Sequence, residues 1–416
     1  MLHSVLHTVK KILFSNLLAS FLLFLLSIVF SRKFGVAGRG TYALMVTIPS
    51  VLTVFCSLGL INSLIYHIKK EKLQLSTSLC YLSGLTAWLV FVLYLLKMTI
   101  DSGLPIAWFA DLLALRRFSH NLEWGVVFLL VISAPCKLFL MSYFQAVRDI
   151  KKFFVLITLI PLLQLVLLVL WPTEIDLSLQ WYLLVYAIIE VVFSVSYAGC
   201  LYWKSDKYEP YSFASKKDVF LYSIKGYLGT ISGTVNKGVD VLLVDNFVGT
   251  TELGLYSNAK SIVRIFQVIS NSVGSGLVGF YLEKKQDQLK KFHKSISSYL
   301  SVCYLLLTLV AYFVAHPLIY YVYGIKFIDA VGYIPYLLVS MYFTVSSVPE
   351  VYVLNSCNKP QVTSYISLVG LLIVFGGGIV GGNYLGMQGI LYAFCLSAMI
   401  IYCLRKYCAH KLLKRF

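Results

Sequence analysis

Gly35-Val36-Ala37-Gly38-Arg39-Gly40-Thr41-Tyr42-Ala43 follows the first long apolar run of the chain, and Gly249-Thr250-Thr251-Glu252-Leu253-Gly254-Leu255-Tyr256 follows the seventh. Each has a glycine, four residues, a second glycine, and a tyrosine two positions on. From Gly40 to Gly254 is 214 residues, close to half of the 416 in the chain. A shift of that size carries the first apolar run onto the seventh in the same membrane sense, which is the signature of two parallel six-helix halves. Physically, the motif reads as a tight outer turn that uses glycine's backbone freedom, followed by an aromatic anchor at the water boundary.

Composition agrees with a membrane location. Hydrophobic residues make up 59% of the chain, charged residues 13%, and the mean hydropathy is +0.81. A spanning helix uses ~20 apolar residues and a short loop about 10 more, so the chain has room for roughly a dozen spans. Charge clusters delimit twelve windows, near 12–31, 41–66, 76–98, 122–145, 153–171, 180–203, 221–247, 254–282, 295–314, 329–354, 361–382 and 387–404. The first, Ile12 to Phe30 after Lys10 and Lys11, imitates a signal peptide, but it is too long and lacks a clear cleavage site, so it reads as a span. The predicted organisation is a six-helix bundle over 1–203, a cytoplasmic linker over 204–220 and a second bundle over 221–416.

The net charge of +17 would suggest nucleic acid in a soluble domain. Here it follows topology. With the N-terminus inside, the inner segments hold 23 basic residues and the outer segments 7, among them Arg32, Lys33 and Arg39. This asymmetry predicts both termini in the cytoplasm and requires no nucleic-acid partner. A soluble helix bundle would need amphipathic helices throughout, whereas most of these windows are apolar all round.

Catalytic signatures are missing. The nine cysteines are odd in number and scattered, and no Cys-x-x-Cys pair, His-Glu-x-x-His, Walker loop or Gly-x-Ser-x-Gly elbow occurs. The sequence therefore nominates no catalytic residue, metal or cofactor.

Around the two glycine motifs the chain resembles a known family. The segments that carry the likeness are Ser31-Arg32-Lys33-Phe34-Gly35 through Leu44, and Asn236-Lys237-Gly238-Val239-Asp240 through Ala259. They resemble the polysaccharide exporters of the MOP superfamily, in particular Wzx-type O-antigen and capsule repeat-unit flippases. The resemblance implies an all-α polytopic membrane protein with twelve transmembrane helices in two pseudo-repeated six-helix bundles forming a V around a central cavity. It implies export of an undecaprenyl-diphosphate-linked oligosaccharide across a bacterial cytoplasmic (inner) membrane. Related lipid II flippases carry two further helices, for which this chain has no room.

Polar stripes locate the candidate site. In the eighth window Lys260, Arg264, Gln267, Asn271 and Ser275 are spaced 4, 3, 4 and 4, so they share one helix face. The seventh repeats the spacing with Lys225, Gly229, Ser232, Asn236 and Asp240, with Lys237 alongside. Asn16, Ser20, Ser27 and Ser31 form a milder stripe in the first. A charge near a helix centre costs roughly 2.5 to 3.5 kcal/mol on insertion scales, so these cations need water, partners or ligand. Asp240 and Lys260 each lie about 10 Å below the outer ends of their helices and can neutralise one another. Intramembrane Lys137, Lys225, Lys237, Lys260 and Arg264 nevertheless outnumber Glu190, Asp240 and Glu350.

A cationic surplus suits a diphosphate headgroup, which arginine grips bidentately and lysine meets as a point charge. Gln267, Asn271 and Asn236 can hydrogen-bond sugars without fixing their identity. The expected substrate-binding set is Arg264, Lys260, Lys237, Asp240, Lys137, Gln267, Asn271, Asn236 and Lys225. Prolines within spans mark bends, and Pro135 precedes Lys137 closely enough to turn it inward. Proton or sodium coupling, and contact with other polysaccharide-assembly proteins, stay open. Two rival readings are a repeat-unit polymerase, which would call for a larger outer loop than 100–121, and a small-molecule or multidrug exporter, which would call for fewer cations.

Overall fold

A computed structural model describes residues 2–69, 74–102, 115, 118, 121–147, 149–172, 178–204, 217–224, 227, 238–283, 286–357 and 359–414. Within these, only the backbone of 2–13, 69, 178, 204, 266, 268–283, 286–289 and 360 is described. The helices are α1 (Leu2–Ser57), α2 (Leu60–Lys69), α3 (Leu75–Asp101), α4 (Asn121–Val147), α5 (Ile150–Leu170), α6 (Ser178–Lys204), α7 (Val239–Phe247), α8 (Thr250–Glu283), α9 (Gln286–Leu318), α10 (Ile334–Ser346), α11 (Val348–Ser356) and α12 (Pro360–Leu413). A π-helical turn, Ile319–Tyr323, and a 3-10 segment, Ile325–Tyr333, connect α9 to α10.

Eight stretches among the described residues are long and apolar enough to cross a membrane. Two of them, Phe14–Ser57 and Gln361–Leu413, are each broken once, at Gly35 (φ 70°) and Gly386 (φ 58°), and so supply two crossings apiece. Helix α8, most of whose side chains from 266 onward lie outside the described set, and window 221–247, which falls partly outside the described residues, are the other two of the twelve expected spans. The protein is an all-α polytopic membrane protein.

Packing divides the chain into two compact units. One comprises Met1–Gly40 with Leu243–Phe416, and the other Thr41–Leu242. The first unit's core includes Leu26, Phe30, Leu253, Ile319, Phe327, Leu338, Val353 and Ile390, and the second's Leu93, Val127, Phe139, Phe144, Phe153, Ile160, Tyr182 and Ala187, all nearly solvent-free. Burying each such side chain contributes roughly 1.5 to 3 kcal/mol relative to water, while against lipid the gain comes from close packing.

The repeated motif has a structural counterpart. Gly35 and Gly249 (φ 113°) both occupy the left-handed region, as the turn reading requires. Within the first unit, a methyl group at Gly40 would overlap the carbonyl oxygen of Thr250, and one at Gly254 would overlap that of Val36. The 214-residue shift carries Val36 onto Thr250 and Gly40 onto Gly254, so one backbone contact occurs twice, with the repeats exchanging roles.

The aromatic part of that expectation is corrected. Tyr42 is 8% and Tyr256 1% exposed, so neither is an anchor at the water boundary. The helix resumes directly after each glycine turn. Seven residues then carry the tyrosine about 10 Å further along the axis, into the packed interior.

Two predicted spans are interrupted. Window 41–66 stops at Ser57, where Leu58 (φ 46°) and Gly59 (φ 77°) make a left-handed turn before α2. The carbonyls freed there are satisfied within the second unit, Phe55 by Tyr227 Oη at 2.6 Å and Leu58 by Ser223 Oγ at 2.5 Å. Window 329–354 begins in the 3-10 segment and breaks at Ser347, two residues before Pro349, whose missing N–H and ring disfavour an unbroken helix. In α12, glycines allow close packing. Gly377 meets Ala393, and Gly381 faces Gly389 across the bend at Gly386.

Candidate functional site

Helix α8 presents the predicted stripe. Leu253, Tyr256, Ala259, Ile262 and Val263 are buried along it, Leu253 and Tyr256 in line with the stripe, while Arg264 is exposed and Lys260 and Gln267 are half-buried. The 4- and 3-residue spacings place these polar groups over successive turns of one face, as periodicity demands. One turn separates Arg264 from Lys260, about 6 Å along the axis. The ammonium of Lys260 lies 5.9 Å from the centroid of the Tyr256 ring, within reach of its negative face. Arg264 is an exposed residue of the unit, and its planar fork is the chemistry that matches phosphate or carboxylate.

In the other unit, Lys137 is engaged. Its Nζ lies 2.7 Å from Oε1 of Glu190, and Gln164 Nε2 donates to the same oxygen at 3.2 Å. The Glu190 side chain is 6% exposed and that of Lys137 32%, so the carboxylate is buried and the ammonium end reaches outward. This pairing commits Lys137 to Glu190; both were counted in the sequence, so the surplus of cations is unchanged. Asp240, in the first turn of α7, is buried at 2% exposure. Lys225, Asn236 and Lys237 lie outside the described residues, as do Gly229 and Ser232. Asn271 and Ser275 sit on α8, with their side chains outside the described set.

The structure assembles a second polar cluster that sequence reasoning did not. Within the first unit, Asn258 Oδ1 accepts from Arg39 Nε at 3.0 Å, from Ser31 Oγ at 3.0 Å and from Ser27 Oγ at 3.3 Å. Arg39 Nη2 donates to Ser261 Oγ at 3.0 Å, and Ser27 Oγ lies 3.2 Å from the hydroxyl of Tyr323. Arg39 is 7% and Asn258 0% exposed. Counting Arg39 as an outer-loop charge is thereby corrected: helix resumes after Gly35, so Arg39 lies within the packed helix pair. Nearby Arg32 donates from Nε to the Val322 carbonyl at 2.7 Å and from Nη2 to that of Tyr321 at 2.8 Å, satisfying the end of the π-helical turn.

The backbone is similar to solved multidrug transporters. An inward-facing multidrug resistance MATE family transporter of the MOP superfamily superposes with a TM-score of 0.69 at 12% identity, over 95% of each chain. The MATE multidrug transporter DinF-BH gives 0.65 at 10% identity over 97% of this chain and 95% of that one. The Vibrio cholerae MATE transporter VcmN gives 0.57 at 14% identity over 100% and 98%. The fold is thus that of MOP-superfamily transporters. No curated protein matches the sequence. Residues 6–278 match the family of polysaccharide biosynthesis proteins, and the chain belongs to that family.

Proposed function

We propose that this chain is a flippase that moves undecaprenyl-diphosphate-linked oligosaccharide repeat units from the cytoplasmic to the outer leaflet by alternating access through a cationic cavity. The observation that carries this reading is the placement of Arg264, an exposed residue, one helical turn from Lys260 and beside Gln267, on a helix whose opposite face is packed through Leu255, Ala259 and Ile262. Arginine supplies a bidentate grip on phosphate, lysine a movable charge, and the amide a sugar contact. Family membership supports a polysaccharide substrate, and the fold supports transport.

The proposed contacts are Arg264, Lys260 and Gln267, joined by Lys237, Asn236, Asn271, Asp240, Lys225 and Lys137 from the sequence. The sequence halves 1–203 and 221–416, linked by 204–220, are proposed as the repeated elements of the cycle. The protein acts as a carrier and not as an enzyme. The basic asymmetry supports a bacterial inner-membrane location with both termini cytoplasmic.

Complementation tests the class. A strain lacking its own repeat-unit flippase should regain surface polysaccharide when this chain alone is supplied. Failure at normal membrane abundance across several repeat-unit backgrounds would contradict the proposal.

A further inference from the structure

Helix α9 has two faces of different character. Its inner face is packed: His293, Tyr304, Ala311 and Ala315 are buried, and Ser297 Oγ donates to Oε1 of the buried Glu350 at 2.8 Å. On the opposite side, Lys291, Lys294, Ser295, Ser298 and Tyr299 line an open pocket of about 550 Å³. All five are exposed. The same face continues through Val302, Leu306, Leu309 and Phe313, which are 55%, 57%, 48% and 72% exposed. Along this one surface, charge and hydroxyls therefore give way to an uncovered apolar stripe.

The distances match a membrane lipid. From Lys294 to Phe313 is 19 residues, about 28 Å of helix at ~1.5 Å per residue, close to the ~30 Å hydrocarbon core. With Phe313 near one boundary, the lysines stand at the other, in the segment that the positive-inside argument assigns to the cytoplasm. We infer that this pocket is a docking site for a polyprenyl diphosphate in the cytoplasmic leaflet, with its phosphates on Lys291, Lys294, Ser295 and Ser298 and its chain along the apolar stripe. The inference rests on the flippase reading and adds a loading site on the lipid-facing side of α9, away from Arg264. Charge complementarity selects the occupant: two ammonium groups one turn apart beside two hydroxyl donors suit a multiply charged diphosphate better than a singly charged phosphodiester. Ser297 and Glu350 pin the packed side of the same turn and hold the pocket in place.

The test uses full-length protein in phosphatidylcholine nanodiscs, with binding of farnesyl diphosphate followed by native mass spectrometry, in the wild type and in an Arg264→Ala background. Lys291→Gln with Lys294→Gln should weaken binding by about tenfold or more in both backgrounds, given roughly 1 kcal/mol per lysine near a membrane surface. Lys291→Arg with Lys294→Arg should preserve it, and farnesol should bind without that dependence. Unchanged binding by the glutamine pair would overturn the pocket while leaving the flippase reading standing. Equal displacement by phosphatidylglycerol would overturn the diphosphate as occupant. Absence of wild-type binding would overturn the pocket, with complementation reporting separately on export.

Discussion

Gly40 and Gly254 occupy equivalent positions in the two copies of one motif, and each backs onto a carbonyl of the other copy, Thr250 for Gly40 and Val36 for Gly254. Neither carbonyl can retreat without moving its helix. Gly40→Ala and Gly254→Ala should each destabilise by at least the roughly 1 to 3 kcal/mol typical of overpacking, because the obstacle is backbone. Gly35→Ala meets no neighbouring atom and pays only for its positive φ, about 1 to 2 kcal/mol. Thermal unfolding of detergent-purified variants should rank Gly35→Ala as the mildest of the three; equal losses would argue against the reciprocal contact.

Asn258 places one oxygen before three donors, from Ser27, Ser31 and Arg39. Asn258→Ala removes the acceptor these buried donors share, leaving Ser27 its contact with Tyr323 and Arg39 its bond to Ser261, and should cost about 1 to 3 kcal/mol. Asn258→Asp retains the acceptor and adds a charge beside the guanidinium, so it should be the milder change. The comparison is read as membrane abundance and melting temperature. A melting temperature for the alanine variant at or above that of the aspartate variant would sink this account of the cluster.

Lys137 and Glu190 should respond unequally. Lys137→Met leaves a carboxylate that is 6% exposed with Gln164 as its remaining described donor, and should cost up to about 3 kcal/mol. Glu190→Gln leaves an ammonium that is one-third exposed and can reach toward a polar boundary, so its cost should be smaller. Denaturation midpoints of the two single variants decide it, and the reverse order would contradict the burial asymmetry.

Much of the fold was legible because membranes impose it. Apolar run length gave the spans, and the 214-residue spacing found a contact that the structure makes twice. The stripe at Lys260, Arg264 and Gln267 was legible because helical period alone decides which residues share a face. What sequence could not supply was depth and partnership. Arg39 looked like an outer charge because a basic count does not register that helix resumes after Gly35, and Tyr42 and Tyr256 looked like boundary anchors for the same reason. Lys137 could not be assigned its partner because Glu190 stands 53 residues away in sequence and meets it only through the packing of α4 on α6. Asn258 lay inside the quoted motif, and its polarity amid apolar neighbours was the available signal for the buried cluster.

The central claim is that Arg264 grips a diphosphate during export. The most direct measurement is repeat-unit export per unit of inserted protein for Arg264→Ala and Arg264→Lys. Because Arg264 is exposed, neither change should alter membrane abundance. Export should be abolished in the alanine variant and partly kept in the lysine variant, where the charge survives and the bidentate fork does not. Wild-type export by Arg264→Ala at normal abundance would contradict the account.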